Sequence, residues 1–568
     1  MIAMYYSWHR FWKRKILKIE PMKKKLILVQ LNRFGDILQS LHSAIGTKNI
    51  VPDISIEIVV REQFGNPLCF LLEQVFDKIH YLKRENLIKY DSSLKECCLA
   101  LDEHISSLDL KTHDVVLNLS FCKTSSFYMS LLPSQNKLGR QRLMNHSLSV
   151  KGDWFQYVYG CLMTGTLNPF NLVDLFRFMI GHKDNLLEIR PKACPVEEGI
   201  IKIIVHPFAS IERKRWSVLK WREFFVQSCN LEHKVEFIVV GSKSEQKEAE
   251  QLFEHPKIKA RPSLFKNLVG ETSIKQLHEL VDGSHLFIGH DSMVGHLAAL
   301  TGTSSITVSL GSVRPIESTP YLDNNLVLSP KTKCFPCFPD TQCDYFACHN
   351  DISPSVLKKA LKHWVSNKKF VADLLHQEYT DFELSNLNIE ISQFSNLGLM
   401  QLTGDKKEEQ NYQATLKQLY RYAWLFTLRE QEEQVSIPRL TKNTKQQLEN
   451  LRRGLEQGFE LNNFGIKFTD FIKNELIKSE PDYSIVTKYS KQLDEVEQLF
   501  TALVSSHSVL DPLFNFYLLK RSNIKSSEIL DITIETQISF RDCNQFLKII
   551  YELIGLVLEK QSQSVLST

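Results

Sequence analysis

Four short segments of the sequence place acids, hydroxyls, a lysine and histidines directly after apolar runs, and a fifth gathers cysteines. They are "NRFGD", ending at Asp36; "HPFASIERKRW", residues 206–216; "VVGSKSE", ending at Glu245; "GHDSMVGHLAALTG", residues 289–302; and "CFPCFPDTQCDYFAC", residues 334–348. Where a helix follows a buried strand, its first N–H groups and the loop side chains meet at one end of the sheet. The first four segments therefore carry groups that could bind an anion and activate a hydroxyl.

The first segment places the carboxylate of Asp36 where a helix should begin. An acid at this position commonly caps the helix, because free N–H groups and the helix dipole favour a negative charge there. A carboxylate at the mouth of a cleft can also take a proton from a hydroxyl group. The sequence leaves both roles open, and they can coexist.

Two later segments carry groups suited to phosphate oxygens. Ser210 offers a hydroxyl and Lys214 a mobile cation. In "HDSMVGHLAAL", Asp291 or Ser292 could cap a helix whose first N–H groups would form an anion site. His296, about one turn further, would lie near the same point.

Each of these residues also has an ordinary structural explanation. Asp291 and Ser292 could be a plain capping pair, His296 a half-buried histidine, and Lys214 part of a solvated charged run. Glu245 could be an acid in the first turn of a helix, where the dipole favours it. It is the joint order of the segments along the chain that indicates a site.

The cysteine segment has the spacing C-x2-C-x5-C-x4-C at Cys334, Cys337, Cys343 and Cys348. Four thiolates so close together suit a tetrahedral structural Zn or Fe site, which would leave no open position for substrate. The alternative is a reduced loop whose cysteines are merely small and buried. The other cysteines of the twelve are mostly scattered, as in a reducing cytosol.

The elements that position these segments follow an α/β pattern in two series. Short apolar runs alternate with amphipathic stretches from Lys25 to about residue 180, and again from about Ile200 to residue 365. This alternation is typical of βαβ units on a parallel sheet. We expect two Rossmann-like domains, residues 23–190 and 199–365, that face each other across a cleft.

The last third of the chain has a different pattern. Apolar residues recur at helical spacing between Glu, Gln and Lys, and glycine becomes rare. The pattern predicts an additional all-helical domain over residues 371–568, with a possible role in binding a protein partner.

Composition narrows the function classes. The chain has 568 residues, 43% of them hydrophobic and 24% charged, as in globular proteins, and its net charge of +4 is too small to indicate nucleic acid binding. No uninterrupted apolar run reaches the length of a transmembrane helix. Residues 1–22 form a basic, aromatic leader that could contact an anionic membrane surface or simply pack or fray.

In order and spacing, the segments resemble glycosyltransferase family 9, the ADP-heptose:lipopolysaccharide heptosyltransferases. That family shows an "R-x-x-x-x-GD-x-L" opening, then "HP-x-AS-x-x-x-KRW", "GxxxE" and "DSG-x-x-HLAAA-x-G". The resemblance covers about residues 24–360. It implies a GT-B fold and an inverting enzyme that moves a heptose from an ADP-type nucleotide sugar to a bacterial lipopolysaccharide or other surface glycan, in the cytoplasm or at the inner-membrane surface.

The resemblance also implies roles for the residues. Asp36 would be the catalytic base, while the donor would be bound by Ser210 and Lys214 at the diphosphate, Glu245 near the ribose, and Asp291, Ser292 and His296 at the sugar and phosphates. Family members often carry a cysteine-rich segment at this place, iron-bound in one branch. The chain contains no D-x-D pair of the kind that metal-dependent transferases use, which favours chemistry without a metal cofactor.

The sequence departs from the family pattern at four positions. It has Gln30 for Arg, Asn118 for an acid, Phe208 for Gly and Met293 for Gly. A different nucleotide sugar therefore stays open as the donor. Two alternatives also stay open: a protein O-glycosyltransferase whose helical domain docks the polypeptide, and a non-catalytic scaffold that binds a nucleotide sugar.

Overall fold

The computed structural model describes residues 25–565 apart from residues 51, 84–92, 112–113, 144, 166, 183–190, 193–198, 232–233, 339, 405–410, 432 and 434–438. The predicted leader, residues 1–22, and its membrane contact lie outside the described residues. Within the described residues, no helix is long and apolar enough to cross a membrane.

The first domain is built on a sheet with the strand order β3-β2-β1-β4-β5-β6. Its strands are β1 (Lys25–Gln30), β2 (Ser55–Arg61), β3 (Lys78–Leu82), β4 (Val115–Asn118), β5 (Asn136–Arg142) and β6 (Leu148–Lys151). All neighbouring strands are parallel except β6, which runs antiparallel to β5. Strand β1 is an almost wholly buried apolar run, because helices cover both faces of the sheet.

The helices of this domain include one that matters for the site, α1, which begins directly after β1. They are α1 (Phe34–Ile50), α2 (Glu62–Gly65), α3 (Cys69–Leu72), α4 (Leu94–Ser107), α5 (Lys123–Leu131), α6 (Asp153–Tyr157) and α7 (Leu172–Ile180), with a 3-10 turn at Asn66–Leu68 and a π turn at Val158–Leu162.

The second domain has the strand order β14-β13-β12-β11-β10-β7-β8-β9. Its strands are β7 (Ile201–His206), β8 (Val235–Val239), β9 (Phe265–Asn267), β10 (Leu286–Gly289), β11 (Ser304–Val308), β12 (Leu326–Pro330), β13 (Leu387–Phe394) and β14 (Met400–Thr403). The six strands from β7 to β12 are parallel and have the 3-2-1-4-5-6 order of a doubly wound Rossmann fold. The prediction of two Rossmann-like domains is confirmed.

The helices of the second domain follow its strands in the same βα pattern. They are α8 (Val218–Ser228), α9 (Gln246–Phe253), α10 (Pro256–Lys259), α11 (Ile274–Asp282), α12 (Met293–Leu300), α13 (Pro315–Ser318), α14 (Cys348–Asp351), α15 (Pro354–Asn367), α16 (Ala372–His376) and α17 (Asp381–Asn386), with 3-10 turns at Glu212–Lys214 and Lys243–Glu245.

The prediction that residues 371–568 are all helical needs a correction at its start. Strands β13 and β14 lie within this range, and β13 pairs antiparallel with β12, so the second sheet continues past residue 371. The described helical region begins at residue 412. It consists of α18 (Tyr412–Trp424), α19 (Lys442–Leu476), α20 (Tyr483–Ser506), α21 (Asp511–Ser522) and α22 (Ile529–Val565), with a 3-10 turn at Ser508–Leu510 and a π turn at Leu425–Arg429.

The helical region packs on the first domain and shares an apolar core with it. The ring of Trp424 in α18 lies 5.2 Å from that of Tyr157 in the first domain and 4.2 Å from that of Phe546 in α22. Arg421 donates hydrogen bonds to the carbonyls of Pro169 and Met400, one in the first domain and one in β14. The helices are therefore not an independent body.

The two α/β domains meet through a buried polar network as well as through apolar side chains. Tyr321 donates to Asp174 of α7 over 2.5 Å, and the N–H of Met400 donates to the other oxygen of that carboxylate. Arg177 donates to the Tyr321 hydroxyl. Burial raises the pKa of Asp174, and the charge of Arg177 opposes that rise. This network joins α7 to the β14 edge of the second sheet.

Candidate active site

Asp36 lies in the first turn of α1, directly after β1, and its carboxylate helps to cap that helix. Its Oδ2 accepts a hydrogen bond from the backbone N–H of Arg33 over 3.3 Å. Burial raises the pKa of Asp36; hydrogen bonds from Arg33 and Asn32 act against the rise, and the charge of Asp291 adds to it. The capping role that the sequence left open is thus present in the structure, and it leaves the carboxylate close to Asp291.

Helix α12 points its N-terminus at the same cleft. Ser292 is the residue before its first turn, but the Ser292 side chain makes no capping hydrogen bond. Its Oγ is buried and has no hydrogen-bond partner among the described residues. The first backbone N–H groups of an eight-residue helix and one uncommitted hydroxyl therefore meet at this point, which is the arrangement that binds anions.

Lys214 and Asp291 form an ion pair at this N-terminus, with the Lys214 Nζ 3.0 Å from Asp291 Oδ2. Burial acts to raise the pKa of Asp291, but Lys214, His296 and a hydrogen bond from Ser318 together bring it below its ordinary value. The structure thus brings a cation from the 206–216 segment to the carboxylate of the 289–302 segment and keeps that carboxylate ionised.

His296 links the two halves of the cleft. It is buried in α12, and a methyl group placed on Gly35 would lie 3.3 Å from its Cδ2. Burial lowers the pKa of His296; Lys214 acts in the same direction and Asp291 in the opposite one. The backbone beside Asp36 therefore packs directly against the α12 side chain for which the family resemblance implies a role in donor binding.

His290 is a residue that the sequence analysis did not single out. Its Nε2 accepts hydrogen bonds from the backbone N–H of Trp216 and from Trp221 Nε1, and its Nδ1 donates to the carbonyl of Val308. It ties the end of β10 to the start of α8 and so aligns Lys214 with Asp291. The sequence did offer a signal for His290: it stands between the strand "LFIG" and Asp291, and two tryptophans, Trp216 and Trp221, lie at and just after the end of the 206–216 segment.

Ser210 and Glu245 lie at neighbouring strand ends of the second sheet. Ser210 is exposed, in the loop after β7. Glu245 follows β8, and its Oε2 accepts hydrogen bonds from the backbone N–H and the hydroxyl of Ser242. A methyl group on Gly241 would lie 2.9 Å from the ring of Phe208 and 3.0 Å from Glu245 Oε2. Glu245 thus caps its turn, as its alternative explanation expected, and borders the loop that carries Ser210.

The predicted metal site is not supported. Burial and the neighbouring Cys334 and Cys343 raise the pKa of the Cys337 thiol, so these cysteines do lie near one another. Within the described ranges, however, no three or more His, Cys, Asp or Glu side chains are arranged to hold a metal ion. All four cysteines are free thiols, and Cys334 is exposed. Sequence spacing brought the thiols together without giving them ligand geometry.

Two of the departures from the family pattern have structural partners. Gln30 donates to the Ser40 hydroxyl, and Asn118 donates to Ser125 and to the carbonyl of Arg140. Both amides hold the ends of β1 and β4 in place through these hydrogen bonds. The charged side chains that the family pattern has at these two positions are therefore replaced by neutral, structural ones.

The two doubly wound sheets turn their strand ends to one cleft, which defines a protein of GT-B architecture. The carboxylate of Asp36 lies on one side of this cleft, and the Lys214 ammonium and the N-terminus of α12 lie on the other. Residues 189–345 match glycosyltransferase family 9 (heptosyltransferase), so the resemblance seen in the sequence is confirmed there, and the class of enzyme is a glycosyltransferase.

Solved structures with a similar fold include three enzymes from E. coli. The heptosyltransferase WaaC with ADP is 15% identical, with 60% of this chain and 99% of that chain covered and a TM-score of 0.43. The ADP-heptose lipopolysaccharide heptosyltransferase II is 15% identical, with 61% and 99% covered and a TM-score of 0.43. The iron-containing dodecameric glycosyltransferase TibC is 14% identical, with 63% and 77% covered and a TM-score of 0.32. No curated protein matches the chain.

Proposed function

We propose that this protein is an inverting glycosyltransferase that moves a heptose or a related sugar from an ADP-type nucleotide sugar to a hydroxyl of a bacterial surface glycan such as lipopolysaccharide. The observation that supports the proposal best is the placement of Asp36 opposite Asp291 and His296 across a single cleft. A base on one side and an anion site on the other are what a direct displacement at an anomeric carbon requires.

In the proposed reaction, Asp36 accepts the proton of the acceptor hydroxyl. The acceptor oxygen forms a bond to the anomeric carbon as the bond from that carbon to the diphosphate oxygen breaks, and ADP leaves with the electron pair. The configuration at the anomeric carbon inverts. Because burial raises the pKa of Asp36, the ionised carboxylate is a stronger base than that of an exposed aspartate.

The donor side would supply charge and orientation. Lys214 and the N–H groups at the start of α12 would neutralise the negative charge that develops on the departing ADP, with Ser210 and Ser292 as hydroxyl donors to its phosphates. Asp291, kept ionised by Lys214, would accept hydrogen bonds from sugar hydroxyls beside His296. Both hydrogen bonds from Ser242 are accepted by Oε2 of Glu245. The other carboxylate oxygen, Oε1, would therefore accept a hydrogen bond from a ribose hydroxyl.

A second candidate function is transfer to a protein acceptor, and the position of the helical region favours it. These helices pack on the domain that carries Asp36, which is where an acceptor binds in the proposed reaction. A cavity of about 310 Å³, lined in part by Gln156, Lys520 and Ser539, lies at this junction and is formed by none of the predicted site residues.

The proposed location of the protein is the cytoplasm, at the inner-membrane surface when the leader contacts lipid.

The test of this function compares wild type with Asp36→Asn, in which the amide oxygen can still accept the Arg33 N–H bond. We expect sugar transfer to fall about 10²- to 10⁴-fold, the usual contribution of a general base, while ADP binding stays unchanged. Glu96→Gln is a matched control, because Glu96 caps α4 in a similar way and is exposed. Transfer by Asp36→Asn at the wild-type rate would exclude Asp36 as the base, and wild-type binding of donor without any transfer would favour the scaffold alternative.

A further inference from the structure

The cysteine-rich segment, residues 334–348, lies against the loop that carries Lys214. Arg213, which precedes Lys214, donates from its guanidinium to the carbonyl of Thr341. His349 Nε2 donates to the backbone carbonyl of Arg213 over 2.9 Å. The side chain and the backbone of Arg213 are therefore both held by this part of the chain.

Gly311 is the point at which two cysteines reach the same loop. The backbone N–H of Cys337 donates to the Gly311 carbonyl over 2.9 Å. The backbone N–H of Gly311 also lies near the Cys348 thiol, where it lowers the pKa that burial raises. Gly311 has a φ of +61°, and a methyl group on it would lie 2.5 Å from the carbonyl oxygen of Arg213. Only glycine fits this close approach, so fixing Gly311 also fixes the backbone at Arg213.

The far end of the segment is anchored to α8. Lys220 donates to the backbone carbonyls of His349 and Ile352, and its ammonium lies 5.8 Å from the centre of the Trp216 ring. The loop at residues 211–216 is thus enclosed between α8, Gly311 and the cysteine-rich segment, with Lys214 projecting towards Asp291.

We infer that the cysteine-rich segment positions the diphosphate-binding lysine: the backbone of Cys337 holds Gly311, the Cys348 thiol lies beside it, and Gly311, Thr341 and His349 hold Arg213 so that Lys214 points at Asp291. This inference rests on the proposed function for the role of Lys214, but the contacts stand without it. Cys337 acts here through its backbone N–H, and Cys348 through the position of its thiol beside the Gly311 N–H. Cys348 is a positioning residue, because it acts on Lys214 through Gly311 and Arg213.

The test uses Cys348→Ala, Cys348→Ser and the control Cys334→Ala in the full-length protein. Cys348→Ala loses the sulfur acceptor, whereas serine keeps an acceptor oxygen, and exposed Cys334 lies at the opposite end of the segment. We expect amide hydrogen exchange across residues 211–216 to become at least severalfold faster in Cys348→Ala, to return towards wild type in Cys348→Ser and to stay unchanged in Cys334→Ala.

Binding and kinetics give the second readout. Cys348→Ala should weaken ADP binding and raise the donor KM about tenfold, with kcat nearly unchanged, since a misplaced charge-assisted contact costs about one order of magnitude. His349→Phe keeps the ring and removes the bond to Arg213, and it should show the same changes if Cys348→Ala fails to fold.

The outcomes separate this inference from the proposed function. Unchanged exchange at residues 211–216 in both Cys348→Ala and His349→Phe would overturn the positioning role, whatever the enzyme catalyses. An equal effect in Cys334→Ala would do the same. If the wild type binds no ADP, the proposed function fails, while hydrogen exchange still decides the positioning role.

Discussion

Lys214 and Asp291 form a partly buried ion pair whose members come from segments about 77 residues apart. Removing one member of such a pair leaves the other charge without compensation in a poorly solvated place. The pair therefore does two things in the proposed site: it holds a cation near the start of α12, and it keeps the Asp291 carboxylate ionised.

We predict that Lys214→Met weakens ADP binding about 10- to 100-fold, the range expected for the loss of one charge-assisted hydrogen bond. Calorimetric titration with ADP measures the effect. Lys243→Met is the control, because Lys243 is an exposed lysine in the comparable 3-10 turn after β8. An unchanged dissociation constant would remove Lys214 from the proposed diphosphate site.

How far single residues could be predicted depends on whether their partners are local. Asp36 follows β1 directly, so its place at a strand end could be derived from the apolar run before it. His290 could not be assigned a role, because its three partners come from the loop before α8, from α8 itself and from β11, and two of them lie about 70 residues away in sequence. The spacing of Cys334, Cys337, Cys343 and Cys348 suggested that they are metal ligands. In the structure the segment instead contacts Gly311 and Arg213, which are distant in sequence and could not be predicted as its partners.

At the scale of elements, His290 connects β10, α8 and β11. The N–H groups of the Trp216 backbone and the Trp221 ring both donate to its Nε2, and both would lose their acceptor in His290→Phe. The phenyl ring could still pack against Trp216 and Trp221. A buried donor without a partner costs about 1–3 kcal/mol.

We therefore predict that His290→Phe lowers the apparent Tm by roughly 5 °C or more, since a few kcal/mol of lost stability shifts Tm by several degrees. Thermal unfolding measures it. His146→Asn serves as the control, because His146 is exposed and has a positive φ of 62°, which asparagine tolerates. Equal melting of His290→Phe and wild type would mean that the three elements are held together by other contacts.

The elements that the sequence revealed were those with local signals. Buried apolar runs followed by amphipathic helices identified both parallel sheets. The strand β13 was missed because four helices separate it from β12, its antiparallel partner. A signal was available in "LNIEISQF", where Leu387, Ile389 and Ile391 alternate with polar residues, as they do in a half-buried strand.

At the scale of the whole molecule, buried histidines make stability depend on pH. Burial, with the charges of His296 and Arg177, lowers the pKa of His42 to about 3. Burial lowers the pKa of His206 to about 4 against the charge of Glu245, and that of His290 to about 3. The unfolded chain binds protons at these histidines below about pH 6.5, where the folded protein does not.

Because the unfolded state binds more protons between about pH 3 and pH 6.5, the free energy of unfolding rises with pH across that window. The contribution of these histidines is complete above pH 6.5 and is lost progressively as the pH falls towards 3. We predict that the urea midpoint decreases steadily from pH 7 to pH 4, and less steeply in His290→Phe, which lacks one of the groups. The same pH dependence in His290→Phe and in wild type would show that His290 binds its proton equally in the folded and unfolded states.

The network of Asp174, Arg177, Tyr321 and the N–H of Met400 fastens α7 to one margin of the second sheet. Strands β8 and β9 form the opposite margin, and Glu245 lies just beyond β8. If the cleft opens while this network stays intact, the second domain must rotate about the β14 edge of its sheet. The side near Glu245 would then move farthest, so the cleft would open widest beside the carboxylate proposed to bind the ribose.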